Sequence, residues 1–209
     1  MSTPRTRRWK PLLGALVVAV ALVAVVAWRA GVWNSSTVAV SRIASSQDGL
    51  NVQPGLDLYP QDQRVKVPKV EGTSLDGKPV ALSELAGKIV VINVWGSWCG
   101  PCRVETPDLV RVANETAGRG VRFVGIDTRD TLAGAQAFVR AFDVPYPSLN
   151  DPQGQVLLAL KDVVPISVVP TTIVVDRNGR VAARVIGPVT YSTLKGLLED
   201  ELAAGGGGR

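Results

Sequence analysis

The chain has 209 residues, 46% of them hydrophobic, with 23 basic and 18 acidic side chains and no histidine. That length gives room for one domain of about 140–150 residues plus appendages. The absence of His excludes Ser-His, Cys-His and His-ligated metal chemistry, and a single Met with two Cys leaves no obvious axial ligand for a haem held by the chain itself. The net charge of +5 is local: Arg5, Arg7, Arg8, Lys10 and Arg29 fall in the first thirty positions, which carry no acid. The other 18 basic residues face 18 acidic ones, so the basic balance marks a targeting segment and does not point to nucleic acid.

Residues 1–10 form a basic N-terminus, and Pro11 to Trp28 is an uncharged run dominated by Val, Ala and Leu. As a helix this run would rise about 27 Å, close to the hydrocarbon thickness of a bilayer. Trp9 and Trp28 bracket it at the depth where indoles prefer the interface. The excess of positive charge before the span predicts a single-pass signal-anchor, with the N-terminus cytoplasmic and the rest outside the cell membrane. A cleaved signal peptide ending near Ala24-Val25-Val26-Ala27 is the competing reading, and Arg7-Arg8-Trp9 leaves twin-arginine export open.

Residues 29–66 lack periodicity and are rich in Ser, Gln, Gly and Pro, which predicts a flexible tether. Membership of residues 55–66 in the fold is the alternative. The domain is expected over 67–203. Val70 to Ser74 and Pro79 to Leu82 flank Asp76-Gly77, a hairpin signal. Ser83 to Gly87 reads as a capped single turn. Lys88 to Trp95 is a continuous apolar run, the mark of a strand buried on both faces. A helix is predicted from Pro101 to Ala117, kinked at Pro107 because proline lacks the amide donor. Val121 to Asp127 is a second buried strand, and Leu132 to Phe142 a helix with one apolar stripe. A short strand at 147–149 and a helix at 153–160 follow. Thr171 to Val175 and Arg180 to Val185 pair through Asn178-Gly179, Ser192 caps a last helix to about Leu202, and 204–209 is a floppy glycine tail. Alternating βαβ units followed by an antiparallel hairpin predict an α/β fold with a mixed central sheet flanked by helices.

The two cysteines, Cys99 and Cys102, sit in Trp98-Cys99-Gly100-Pro101-Cys102, directly after the buried strand. A strand feeding a Cys-x-x-Cys turn and then a helix makes one thiol acidic and keeps the other within disulfide reach. A structural zinc site needs four N or S ligands, which this chain does not offer, so no metal is expected. A structural staple would gain most by closing a long loop, and this ring is minimal. Redox chemistry is left. Cys99 stands at the mouth of the helix, where free N–H groups and the dipole favour a thiolate, and is the expected nucleophile. Cys102, one turn inside, is the expected resolving thiol. Pro101 occupies a first-turn position where no N–H is missed, and Gly100 permits the turn.

The run from Trp95 through Trp98-Cys99-Gly100-Pro101-Cys102 to Glu105 and Pro107, the later Val169-Pro170-Thr171-Thr172 and the N-terminal hairpin resemble membrane-anchored thioredoxin-like proteins of the TlpA/ResA/CcmG (DsbE) type. The resemblance covers about residues 67–203 and includes an insertion over 128–160 that plain thioredoxin lacks. It implies a thioredoxin-like fold and a thiol-disulfide oxidoreductase working outside the cytoplasm without a cofactor. It implies a disulfide-bearing protein partner, commonly apocytochrome c before haem attachment, and an integral membrane thiol transporter as electron donor. Pro170 matches the family's cis-proline, so Val169 and Pro170 should line the substrate groove with Trp98, Gly100 and Pro101. Asn93 stands where plain thioredoxin has a buried Asp and cannot exchange a proton. Glu105 is the candidate for that acid/base role, with an ordinary exposed helix Glu as the alternative. Trp95 is expected in the core, and Asp108, Asp127 and Asp176 on a helix surface, a strand end and a turn.

The direction of electron flow is not legible, because about 30 mV corresponds to 1.4 kcal/mol for a two-electron couple. A reductase serving c-type cytochrome biogenesis is the leading reading, and an extracytoplasmic disulfide oxidase the alternative. A tethered binding module is disfavoured by the intact Cys-x-x-Cys. A peroxidase is disfavoured by the lack of a Thr-x-x-Cys setting.

Overall fold

The fold is built outward from strand β4 (Ile89–Trp95), whose seven residues are all buried. A computed structural model describes residues 55–205 of the chain. The predicted basic N-terminus, membrane span, most of the tether and the end of the tail lie outside those residues. Among the described residues no helix is long and apolar enough to cross a membrane.

Alternation along β4 separates two cores. Ile89 and Val91 point to one face and pack with Leu109, Val112, Leu194 and Leu198, whereas Val90, Ile92 and Val94 point to the other and pack with Leu149, Leu157 and Leu160. Parallel to β4 run β5 (Val121–Thr128) and then β6 (Ser148–Asp151). On the other side β7 (Thr171–Val175) runs antiparallel to β4, and β8 (Val181–Ile186) antiparallel to β7. The sheet is therefore mixed, as the element order predicted.

Helix α1 (Gly100–Thr116) and α4 (Tyr191–Ala204) cover the first face. Asp108 on α1 accepts the Tyr191 amide at 2.8 Å and so fixes the start of α4. Helix α2 (Leu132–Ala141) places Ala135 and Phe138 against Trp95, and the short α3 (Gln155–Ala159) sends Leu157 into the second core. The hairpin of β2 (Glu71–Thr73) and β3 (Pro79–Ala81) turns at Gly77, whose φ of +82° is the conformation that Asp-Gly signals. Helix α1 runs through Pro107 as one element.

Three expectations need correction. The tether does not extend to residue 66: β1 (Gly55–Leu58) pairs antiparallel with β8 at the sheet edge, from Gly55 opposite Ile186 to Leu58 opposite Ala183. Backbone bonds from Val67 to Gly179 and from Val181 to Val65 continue the attachment. Arg64 then donates to Tyr59 O, Asp176 and both carboxylate oxygens of Glu201 at 2.7–3.0 Å. An edge strand held by main-chain bonds needs no hydrophobic period, and Leu56 and Leu58 stay exposed, so the pattern carried no sign of it. The last helix is capped by Thr190, whose Oγ1 accepts the Thr193 amide, and Ser192 lies in its first turn. The turn over Leu82–Leu85 is 3-10 and has no side-chain cap.

Candidate active site

Three elements meet at the C-terminal end of β4. Cys99 and Cys102 form a disulfide with Cα atoms 5.3 Å apart, Cys99 as N-cap of α1 and Cys102 in its first turn. The Cys102 amide donates to Cys99 Sγ at 3.1 Å, so one free N–H of the helix start already points at the sulfur that would become a thiolate. Gly100 and Pro101 are exposed between them. Both cysteines pack with Leu75, Trp95, Ala135 and Phe138, and Val169 closes over the same cluster.

The Val169–Pro170 peptide is cis. Pro170 O accepts the Gly187 amide and Val168 O accepts Thr171 Oγ1, and among the described residues neither the Val169 N–H nor its C=O has a hydrogen-bond partner. Trp98 is half exposed, with Nε1 3.4 Å from Thr128 O and the Arg129 guanidinium over its ring. Trp95 is buried and stacks on Phe138 with ring centroids 4.5 Å apart.

Glu105 is not an ordinary exposed helix residue: it is 1% exposed. One carboxylate oxygen accepts Asn93 Nδ2 and the other the Val189 amide, each at 2.8 Å. Burial pushes its pKa up to about 7, against the opposing pull of those two hydrogen bonds. The same Asn93 amide donates to Thr172 Oγ1 at 3.0 Å, joining the proline segment to the helix. Burial, and secondarily the charge of Glu105, pushes the Tyr146 phenol up as well. Glu105 thus stands on α1, three residues after Cys102, as a carboxyl group able to take or give a proton near neutral pH.

The chain matches the AhpC/TSA family over residues 64–184. It belongs to that family. Within the AhpC/TSA family it is of the thiol-disulfide oxidoreductase type. It is 31% identical over 134 residues to the thiol-disulfide oxidoreductase ResA of Bacillus cereus, covering 64% of this chain and 75% of that protein. It is 36% identical over 118 residues to the thiol:disulfide interchange protein HelX of Rhodobacter capsulatus, covering 56% of this chain and 62% of that one. A solved structure of a DsbF homologue from Corynebacterium diphtheriae superposes with a TM-score of 0.67 at 36% identity, over 74% of this chain and 97% of that chain. The fold is thioredoxin-like, and the enzyme is a thiol-disulfide oxidoreductase of the TlpA/ResA/CcmG type.

The structure gathers Cys99, Cys102, Glu105, Trp98, Gly100, Pro101, Val169 and Pro170 at one end of the sheet. Sequence reasoning missed the second tier. Thr172 and Val189 tie Asn93 and Glu105 in place, and a strand that opens with Thr-Thr before its apolar residues gives no reason to expect it. Asp176 does sit in its turn, where its Oδ1 accepts the Asn178 and Arg180 amides. Asp127 is more than a strand-end residue, because it is completely buried. An acid inside the run Val121–Thr128 was the available signal.

Proposed function

We propose that this enzyme reduces disulfides in proteins outside the cytoplasm, apocytochrome c before haem attachment among them, from an anchor formed by residues 11–28. Cys99 is the nucleophile, Cys102 the resolving thiol and Glu105 the proton acceptor. The observation that carries the reading is the buried Glu105, which burial brings to a pKa of about 7 beside the helix turn that holds both cysteines.

In the reduced enzyme the Cys99 thiolate attacks one sulfur of the substrate disulfide. A mixed disulfide forms, and the first substrate sulfur leaves as a thiolate and is protonated. Cys102 gives its proton to the Glu105 carboxylate and attacks Cys99 Sγ. That breaks the mixed disulfide, forms the Cys99–Cys102 bond and releases the second substrate sulfur as a thiolate, which is protonated from solvent. Two electrons have passed to substrate, and a thiol donor in the membrane must return two electrons and two protons. Near pH 7 Glu105 is partly ionised, so it can accept a proton in this direction and return it in the other. The unused Val169 N–H and C=O would pair with an extended substrate segment as an added strand.

The test has two arms. A full-length Cys102→Ser enzyme should trap substrates as mixed disulfides on Cys99, and thiol proteins destined for haem attachment should be among those captured. The reduction potential of the Cys99/Cys102 couple should lie well below that of strongly oxidising partners, near −120 mV for the extreme case. A value close to that extreme would assign the oxidase direction instead.

A further inference from the structure

Asp127 lies at the end of β5, opposite Trp95 of β4 and Asn150 of β6. Its exposure is zero, and among the described residues neither carboxylate oxygen meets a hydrogen-bond donor. A buried carboxylate without a donor is costly, and a protonated carboxyl is the form that such a site accepts. The neighbouring group that can take its proton is the Asp130 carboxylate.

Asp130 is committed to the active-site loop. Its Oδ2 accepts the Ser97 amide, two residues before Cys99, and its Oδ1 accepts the Thr131 amide at 2.7 Å. A Cβ built on Gly134, in the first turn of α2, would lie about 3 Å from Thr131 Oγ1, Ser97 Oγ and Asp130 Oδ1 alike. Trp98 Nε1 reaches Thr128 O in the same loop. The turn that presents the cysteines is therefore seated on the segment Thr128–Thr131, with Asp127 beneath it.

We propose that Asp127 is a positioning residue: as a carboxylic acid it donates to Asp130, and the shared proton holds Asp130 on the Ser97 amide and so seats the loop that presents Cys99. A second negative charge at Asp127 would push the two carboxylates apart. The charged groups that bear on Asp127 are acidic. Asp130 faces it from the β5–α2 loop and Asp151 lies on β6, where it accepts the Val156 and Leu157 amides. Its β4 register partner Trp95 is uncharged, as are Ala135 and Phe138, which α2 packs against that Trp95. The nearby cations are turned elsewhere, Arg129 over the Trp98 ring and Arg103 over Phe138 and Phe142. Burial first, and the Asp130 charge second, raise Asp127 to about 8, whereas the Ser97 and Thr131 donors lower Asp130 against its own burial. The pair thus carries one proton at neutral pH and loses it in mildly alkaline solution.

The role of Asp127 in thiol chemistry rests on the function proposed above, but its structural part can be measured without turnover. In the full-length protein held as the disulfide, where the thiols are silent, side-chain ¹³C carboxyl shifts should show Asp127 titrating near pH 8. The ¹⁵N–¹H signal of Ser97 should move with it. Asp127→Asn keeps a donor on Asp130 without the titration, so its Ser97 signal should stay at the neutral position through pH 9. Asp127→Ala removes the donor and should displace that signal at every pH. An ordinary Asp127 titration, or a Ser97 signal indifferent to it, overturns the proposal whatever the enzyme's substrate is. In the reduced protein, Cys99 alkylation above pH 8 should be about threefold or more slower in the wild type than in Asp127→Asn, since small misplacements cost rate steeply. Equal rates with a coupled Ser97 signal would restrict Asp127 to the loop and remove it from the reaction.

Discussion

Asn93 Nδ2 lies 2.8 Å from Glu105 Oε1, which joins the middle of β4 to the second turn of α1 through a buried amide and a buried carboxyl. The neutral side chain in the strand supplies a donor, and the titrating group sits on the helix that carries both cysteines. Of the two hydrogen-bonded side chains, only Glu105 titrates.

Glu105→Gln removes the titration while keeping size and polarity. With a carboxyl near pH 7 gone, the resolving step should lose its rise through neutral pH and slow by about tenfold or more. Gln retains an acceptor for Asn93 but offers only one oxygen where two are used, so the Val189 amide loses its partner. The fold should persist with a lowered midpoint. Stopped-flow disulfide exchange from pH 5 to 9 checks this, and a profile identical to the wild type would return Glu105 to a structural role.

Stability should depend on pH with a definite sign. A carboxyl raised from 4.5 to about 7 by folding binds its proton more tightly in the native state. Its contribution is intact below the ordinary carboxyl range and is lost as pH rises through 7. Asp127, raised to about 8, acts in the same direction and extends the loss further. At ~1.4 kcal/mol per pKa unit, Glu105 alone sets an upper limit of about 3 kcal/mol between pH 4 and 8. Denaturant unfolding of the disulfide form should show the midpoint falling across that window, and less steeply in Glu105→Gln.

Arg64 bridges the start of the domain to its end. Its guanidinium meets Asp176 at 3.0 Å and Glu201 at 2.7 Å with all three side chains close to buried, and Nε reaches Tyr59 O. Arg64→Ala leaves two carboxylates facing one another without a cation, at a cost of about 2–3 kcal/mol. Arg64→Lys should recover little of it, because a point charge cannot serve three acceptors in fork geometry. Urea unfolding decides this, and a loss under about 0.5 kcal/mol would show that main-chain pairing alone holds β1.

Much of this architecture was legible because the signals were local. The run from Ile89 to Trp95 reads as a strand buried on both faces, and the two cysteines with Glu105 three residues on read as one helical face. What escaped was held by long-range pairing. Residues Gly55–Leu58 join an edge through backbone bonds that no side-chain pattern encodes. The Val189 amide that fixes Glu105 comes from 84 positions away. Asp127 was visible as an acid in an apolar strand, but its meaning depends on Asp130 lying over it and on Ser97 being seated there.

Replacing Asn93 tests the strand–helix link from its other end. The Asn93 amide lowers the Glu105 value against burial, so its removal should raise that value further. In Asn93→Ala the alkaline limb of disulfide exchange should move to higher pH, and Thr172 Oγ1 loses the same donor. Asn93→Asp should move it further still. The new carboxyl would face Glu105 across a hydrogen-bond distance, the pair would share one proton, and its second ionisation would be driven well above neutral. Both shifts are read from exchange rates against pH, together with the ¹³C carboxyl titration of Glu105 in the disulfide form. A Glu105 titration that stays near 7 in Asn93→Ala would mean that burial alone sets its proton affinity and that Asn93 only fills the space beneath α1.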